Sequence, residues 1–366
     1  MREIDLKKQN KILWIVVSCV LVVTIVTSLT LFGVFFFNYG TDPVVDEDAQ
    51  NVILLIGDGM GLNHIKATEL YNNGSMLNMR KLSVNGEIMT RSLSAGATDS
   101  AASATAYATG KKTFNGKLSE DLSGNPYTTI AEEAMQKGKK VGIVATKTVT
   151  DATPAAFLAH SSSRSNTAEI ATQIVASEVD VLFGLNNSEL KALASSIQTD
   201  ERDYCTTFEE INGSSSKKIF GLLDDDIPNI GRNTLASLTD TALSKLENEN
   251  GFFLMVEGSK IDSYSHTNEI HKMIDELNGF DAAVSRAVSW AKKNGNTTVI
   301  VLADHETGNL KIPDGATADD ISNDWFHKSG HSAQNIHYFA YGKGVEQFPT
   351  LMDNTDVYDI IKQLLF

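Results

Sequence analysis

Asn51-Val52-Ile53-Leu54-Leu55-Ile56-Gly57-Asp58-Gly59-Met60-Gly61 is an unbroken aliphatic run that ends in an acid set among glycines. Such a run predicts a strand buried on both faces, the kind that fills a parallel sheet with helices on either side. The glycines beside Asp58 permit a tight turn, so its carboxylate would stand beyond the carboxyl end of the strand. That is where open α/β sheets bind ligands. A dinucleotide loop does not fit, because the spacing is Gly-x-Gly-x-Gly and an acid sits where a pyrophosphate would approach. Taken alone, Asp58 reads equally well as a turn residue or a cap.

Working outward, further apolar strands are expected at residues 88–93, 141–145, 179–183, 252–256, 298–303 and 336–341. Helical patterns cover 63–72, the alanine-rich stretch from Ser100, 128–137 and 269–293, the last with a 3.6-residue period. Residues 201–233 read as the least regular stretch. Apolar strands separated by helices predict an α/β fold: a three-layer sandwich with a central, largely parallel β-sheet flanked by helices. No second domain boundary is evident after residue 51.

Several of these strands run into potential metal ligands. Residues 252–256 lead into Glu257, and 298–303 into Asp304-His305. Asp262 and His266 would share one face of a helix, and His331 lies in a Gly-His-Ser segment before a strand. Mixed Asp/His ligation suits Zn²⁺, and an oxygen-only set suits Mg²⁺. Thr98-Asp99-Ser100-Ala101-Ala102-Ser103-Ala104-Thr105 places a serine hydroxyl at a positive helix end, with Gly110 as the stop. In isolation that is a serine cap on a packed helix.

The chain has 366 residues and a formal net charge of −15. This balance argues against nucleic acid as a partner, since binding its backbone needs a basic surface. The two cysteines are Cys19 and Cys205, and Cys19 lies within an apolar run, so no disulfide within one chain is expected. From Ile12 to Tyr39 there is no charged residue, a stretch longer than the roughly 20 residues that span a bilayer as helix. Basic residues precede the run and only acids follow it at 41–50. The expectation is an uncleaved transmembrane helix at 12–39, with residues 1–11 cytoplasmic. Residues 40–50 would form an acidic linker, with one domain at 51–366 outside the membrane. A cleavable signal peptide is the rival, but its apolar region would be shorter.

Six motifs, in order, make the chain resemble the alkaline phosphatase family, in its compact bacterial form. They are LLIGDGMG at 54–61, TDSAASATA at 98–106, DATPAA at 151–156, VEGSKIDSYSH at 256–266, ADHETG at 303–308 and GH at 330–331. The resemblance implies hydrolysis of small-molecule phosphate monoesters with two Zn²⁺ and one Mg²⁺ as cofactors. It implies Ser100 as nucleophile, Arg164 as the phosphate clamp and Asp99 as the group orienting it. It also implies Asp262, His266 and His331 on the first zinc, and Asp58, Asp304 and His305 on the second. Asp58, Thr153 and Glu257 would hold the magnesium, with Asp151 holding a water on it. Co²⁺ in place of a zinc and a homodimer are consistent with the resemblance. One position departs from the family's usual residues: Ser263, directly after Asp262, cannot reach phosphate as a lysine would. His64, His160, His271 and His337 match no ligand position and read as structural, and His327 stands nearer the site. A sulfatase, phosphodiesterase or phosphomutase of the wider superfamily, or a non-catalytic surface protein, are the alternatives that the TDSAASATA stretch and the complete ligand set disfavour.

Overall fold

The computed structural model describes residues 51–224 and 234–366. The expected cytoplasmic segment, anchor and linker at residues 1–50 lie outside the described residues. Among the described residues no helix is long and apolar enough to cross a membrane.

Among the described residues, ten strands form one sheet. They are β1 (Asn51–Gly57), β2 (Val84–Met89), β3 (Lys140–Thr148), β4 (Val181–Leu185), β5 (Arg202–Cys205), β6 (Lys218–Leu223), β7 (Phe252–Gly258), β8 (Thr297–Ala303), β11 (Ile336–Gly342) and β12 (Leu351–Asp353). A separate two-stranded ribbon pairs β9 (Glu306–Thr307) with β10 (His331–Ser332). The sheet order is β12-β2-β11-β8-β1-β7-β3-β4-β6-β5. From β8 to β5 every pairing is parallel, and β11 is antiparallel to both its neighbours.

The helices fall into two groups that pack among themselves. Leu62–Tyr71, Thr234–Leu246 and Lys260–His266 gather on the long Ile270–Asn294 helix. Ser100–Thr109, Ile130–Gln136, Ala152–Leu158, Thr167–Ala176 and Asp356–Leu365 form the other layer. β1 lies between them and is fully buried, which is why its sequence carries no alternation.

Two expectations needed correction. Residues 201–224 are not irregular: they hold β5, the Phe208–Gly213 helix and β6. β6 was obscured by Gly221, which would normally weaken a strand. Here a Cβ at Gly221 would lie 2.4 Å from Ile211 Cδ1, so the glycine makes room for the helix packed on it. β2 begins earlier than the apolar run at 88–93, because a half-exposed strand needs only one apolar face.

Register fixes the site. Ile56 pairs with Glu257 on β7, and Gly57 pairs with Gly258 on one side and Ala303 of β8 on the other. Asp58 and Asp304 therefore emerge at one level just past β1 and β8, and Glu257 stands two residues further back on the adjacent β7, at the centre of the sheet.

Candidate active site

The Ser100–Thr109 helix begins at this level. Its N-cap is Asp99 rather than the serine: Asp99 Oδ1 accepts from Ala102 N at 3.0 Å, and Ser100 is the first helical residue. Ser103 Oγ donates to Asp304 O at 2.8 Å and Tyr107 OH to Ala303 O at 2.6 Å, which pins the helix to the end of β8. Gly110 ends it in the left-handed conformation, as expected. Ser100 is buried, with Oγ 3.2 Å from His305 Nε2.

Two groups of side chains bring their ligand atoms within 4.8 Å of one another: Asp262, His266 and His331, and Asp58, Asp262 and His305. Asp304 stands against the second group, with Oδ2 3.2 Å from His305 Nε2, while its Oδ1 accepts from Gly59 N and His305 N. Asp58 Oδ1, Asp304 Oδ2, Glu257 Oε1 and Thr153 Oγ1 are buried without a hydrogen-bond partner. Burial, reinforced by Asp304 and Asp262, pushes the Asp58 carboxyl well above the usual range. Burial raises Glu257 and Asp304 as well, with Asp151 adding to the first and Asp262 to the second. Carboxylates held this close in a low dielectric need cations between them. Mixed oxygen and imidazole donors with orphaned oxygens fit divalent metal ions.

The histidines are oriented for the same purpose. His331 Nδ1 donates to Thr98 O at 2.8 Å, and His266 Nδ1 donates to Ser329 O. Carbonyls only accept, so Nδ1 carries a proton in each ring and Nε2 is turned inward, and these two atoms lie 3.1 Å apart. Two ring nitrogens at that separation suit a positive charge shared between them.

Residues that carried no signal in the sequence complete the arrangement. Thr307 Oγ1 donates to Asp262 Oδ1 at 2.5 Å and lies 3.2 Å from His305 Nδ1, so one hydroxyl links the two ligand groups. With its hydroxyl proton directed at Asp262, Thr307 Oγ1 accepts from His305 Nδ1, and Nε2 of that ring faces Ser100. His64 is fully buried beneath the Lys260–His266 helix. Its Nδ1 accepts from Gly61 N, and its Nε2 donates to Ser265 Oγ at 3.1 Å. Gly59, at φ +72°, lies so close to Asp262 that a Cβ would sit 2.9 Å from its Cα. Arg164 reaches Asp151 Oδ1 at 2.9 Å and Asp99 Oδ2 at 3.4 Å, and Lys147 lies 3.3 Å from Asp151 Oδ2. Burial opposes charge on Lys147, but Asp151, Asp58 and Glu257 outweigh it and hold the ammonium protonated. All twelve site residues expected from the sequence thus fall on the segments around this one end of the sheet.

The family model for alkaline phosphatase matches residues 49–318. Alkaline phosphatase 4 of Bacillus subtilis (strain 168) is 30% identical, over 87% of this chain and 89% of its own. The solved structure of alkaline phosphatase from the Antarctic bacterium TAB5 superimposes with a TM-score of 0.79 at 34% identity. It covers 87% of this chain and 99% of that one. The chain belongs to the alkaline phosphatase family. It is a phosphate monoester hydrolase, and its donor groups suit the metal dependence of that family. A variant of the TAB5 alkaline phosphatase, with magnesium bound in its M3 site, matches with a TM-score of 0.77 at 35% identity, over 87% of this chain and 98% of that one.

Two outcomes follow from the supporting residues. Thr307→Val keeps the shape but removes the shared hydroxyl; zinc affinity in a chelator competition should fall about 10–100-fold, and an unchanged affinity would refute the linking role. Burial also pushes the His64 imidazole down to about 4. The unfolded chain takes up this proton near 6.5, so between those values it binds more protons and stability falls as pH falls. In metal-free samples, the loss of unfolding free energy from pH 7 to pH 5 should be about 2 kcal/mol smaller in His64→Gln than in the wild type.

Proposed function

We propose that the protein is a membrane-tethered alkaline phosphatase that acts through a phosphoserine on Ser100. The observation that carries this reading is the position of Ser100: its hydroxyl is at a helix N-terminus, 3.2 Å from His305 of one ligand group. A serine hydroxyl is a weak nucleophile at its ordinary pKa and needs a base or a metal. Asp262, His266 and His331 would hold one zinc, Asp58, Asp304 and His305 a second, and Asp58, Thr153 and Glu257 a magnesium, with Asp151 beside it. When bound, these ions lower the pKa of the attacking oxygens and stabilise charge on the leaving oxygen. The magnesium in the M3 site of the TAB5 variant supports the third assignment.

Ser100 Oγ attacks phosphorus in line, and the alcohol leaves with the bridging oxygen. The helix N-terminus behind Ser100 offers backbone N–H groups to the phosphoryl oxygens. Arg164, oriented by Asp99 and Asp151, supplies a planar fork for two of them, which a lysine in its place could not. Water then displaces Ser100 from phosphorus, giving inorganic phosphate and net retention. A site that grips only the phosphoryl group accepts many small-molecule monoesters.

Residues 51–366 are the catalytic domain in this reading, tethered by 40–50 to a helix at 12–39, with 1–11 in the cytoplasm. Homodimer formation and Co²⁺ in a zinc position belong to the same reading.

With aryl phosphate as substrate, Ser100→Ala should lower kcat on the order of 10³-fold or more, and chelation should abolish turnover. A folded, metal-loaded protein that prefers aryl sulfate or a bis-aryl phosphodiester would overturn the assignment. Protease added to intact cells should remove the catalytic domain if it lies outside; full protection would overturn the placement.

A further inference from the structure

Asp151 is held by two cations of this chain, one on each oxygen. Arg164 Nη2 lies 2.9 Å from Oδ1, and Lys147 Nζ lies 3.3 Å from Oδ2. The Arg164 contact belongs to the phosphate clamp, but nothing in the proposed reaction uses Lys147. Its position is nevertheless built. It projects from the carboxyl end of β3, the strand whose Ala145 pairs with Glu257, and its side chain is about three-quarters buried. Asp58 and Glu257, two of the proposed magnesium ligands, lie near enough to act on its charge, and Asp58 Oδ1, Thr153 Oγ1 and Glu257 Oε1 have no hydrogen-bond partner. Ser263, one residue past Asp262, brings no charge to this group.

An ammonium tethered at this place acts in two ways. It fixes the Asp151 carboxylate from the side opposite Arg164. It also neutralises part of the negative charge that would attract a divalent ion, and repels that ion directly. We propose that Lys147 is a positioning residue that holds Asp151 and serves as a built-in cation for the third metal site, so that Mg²⁺ binds there only weakly. The inference rests on the phosphatase reading and its assignment of the third site. A unit charge within several ångströms of a partly buried divalent ion changes its affinity on the order of tenfold or more.

The test is a calorimetric Mg²⁺ titration of the full-length, zinc-saturated protein in detergent, comparing wild type with Lys147→Met, Lys147→Gln and Lys147→Arg. The neutral variants should bind Mg²⁺ at least about tenfold more tightly, and Lys147→Arg should stay close to wild type. Two neutral replacements guard against one failing to fold. Unchanged or weaker Mg²⁺ affinity in the neutral variants overturns the proposal, as does the absence of Mg²⁺ binding in all four proteins. A protein that still hydrolyses aryl phosphate through Ser100 while failing this titration loses only the inference about Lys147. Loss of Ser100-dependent turnover would instead remove the phosphatase reading.

Discussion

Four carboxylates, Asp58, Glu257, Asp262 and Asp304, are gathered at one end of the central strands with almost no solvent around them. Their mutual repulsion is the constraint that organises this molecule. An isolated buried carboxylate costs several kcal/mol, and a cluster costs more unless cations share it. The parallel sheet nonetheless forces the meeting: β8, β1 and β7 are adjacent and in register, β1 and β8 run directly into Asp58 and Asp304, and β7 carries Glu257 at its end.

The surroundings can be understood as responses to that charge. Donors are spent on one oxygen of each of two acids, Gly59 N and His305 N on Asp304 Oδ1 and Ser259 Oγ on Glu257 Oε2, and the other oxygen of each has no hydrogen-bond partner. The oxygens left over point where a metal ion would sit. Backbone carbonyls take the outer nitrogens of His266 and His331, so their inner nitrogens remain available. Arg164 and Lys147 add fixed positive charge at the edge. Ser100 sits where a helix N-terminus, an imidazole and these cations converge. Its reactivity is thus a by-product of arrangements that first make the carboxylate cluster tolerable.

Much of this was legible in the sequence, and for a physical reason. A strand buried on both faces must be continuously apolar, so β1, β7 and β8 could be read directly, and the acids that end them stood out. The Gly110 stop was legible because few residues other than glycine adopt its φ of 68°. β5 and β6 were not, since Arg202–Cys205 is a short, polar edge strand and Gly221 is explained only by Ile211 packed against it. Within the site, ligands carried their identity in their chemistry and spacing. Lys147, Thr307 and His64 did not: a lysine ending a strand, a threonine and an isolated histidine are ordinary until tertiary structure brings them to Asp151, Asp262 and Ser265. Asp99 rather than Ser100 as the cap was likewise decided by geometry, because both residue types cap helices well.

The most direct test of this account is unfolding by denaturant at pH 7.5 across a range of buffered free Zn²⁺, with Mg²⁺ present. If metal ions compensate the buried carboxylates, stability should be lowest in chelator and rise with the logarithm of free zinc, by about 1.4 kcal/mol per tenfold for each ion bound above its dissociation constant. Stability that is independent of zinc and equal in chelator would contradict the account, because the cluster would then be tolerated without the cations on which the proposed chemistry depends.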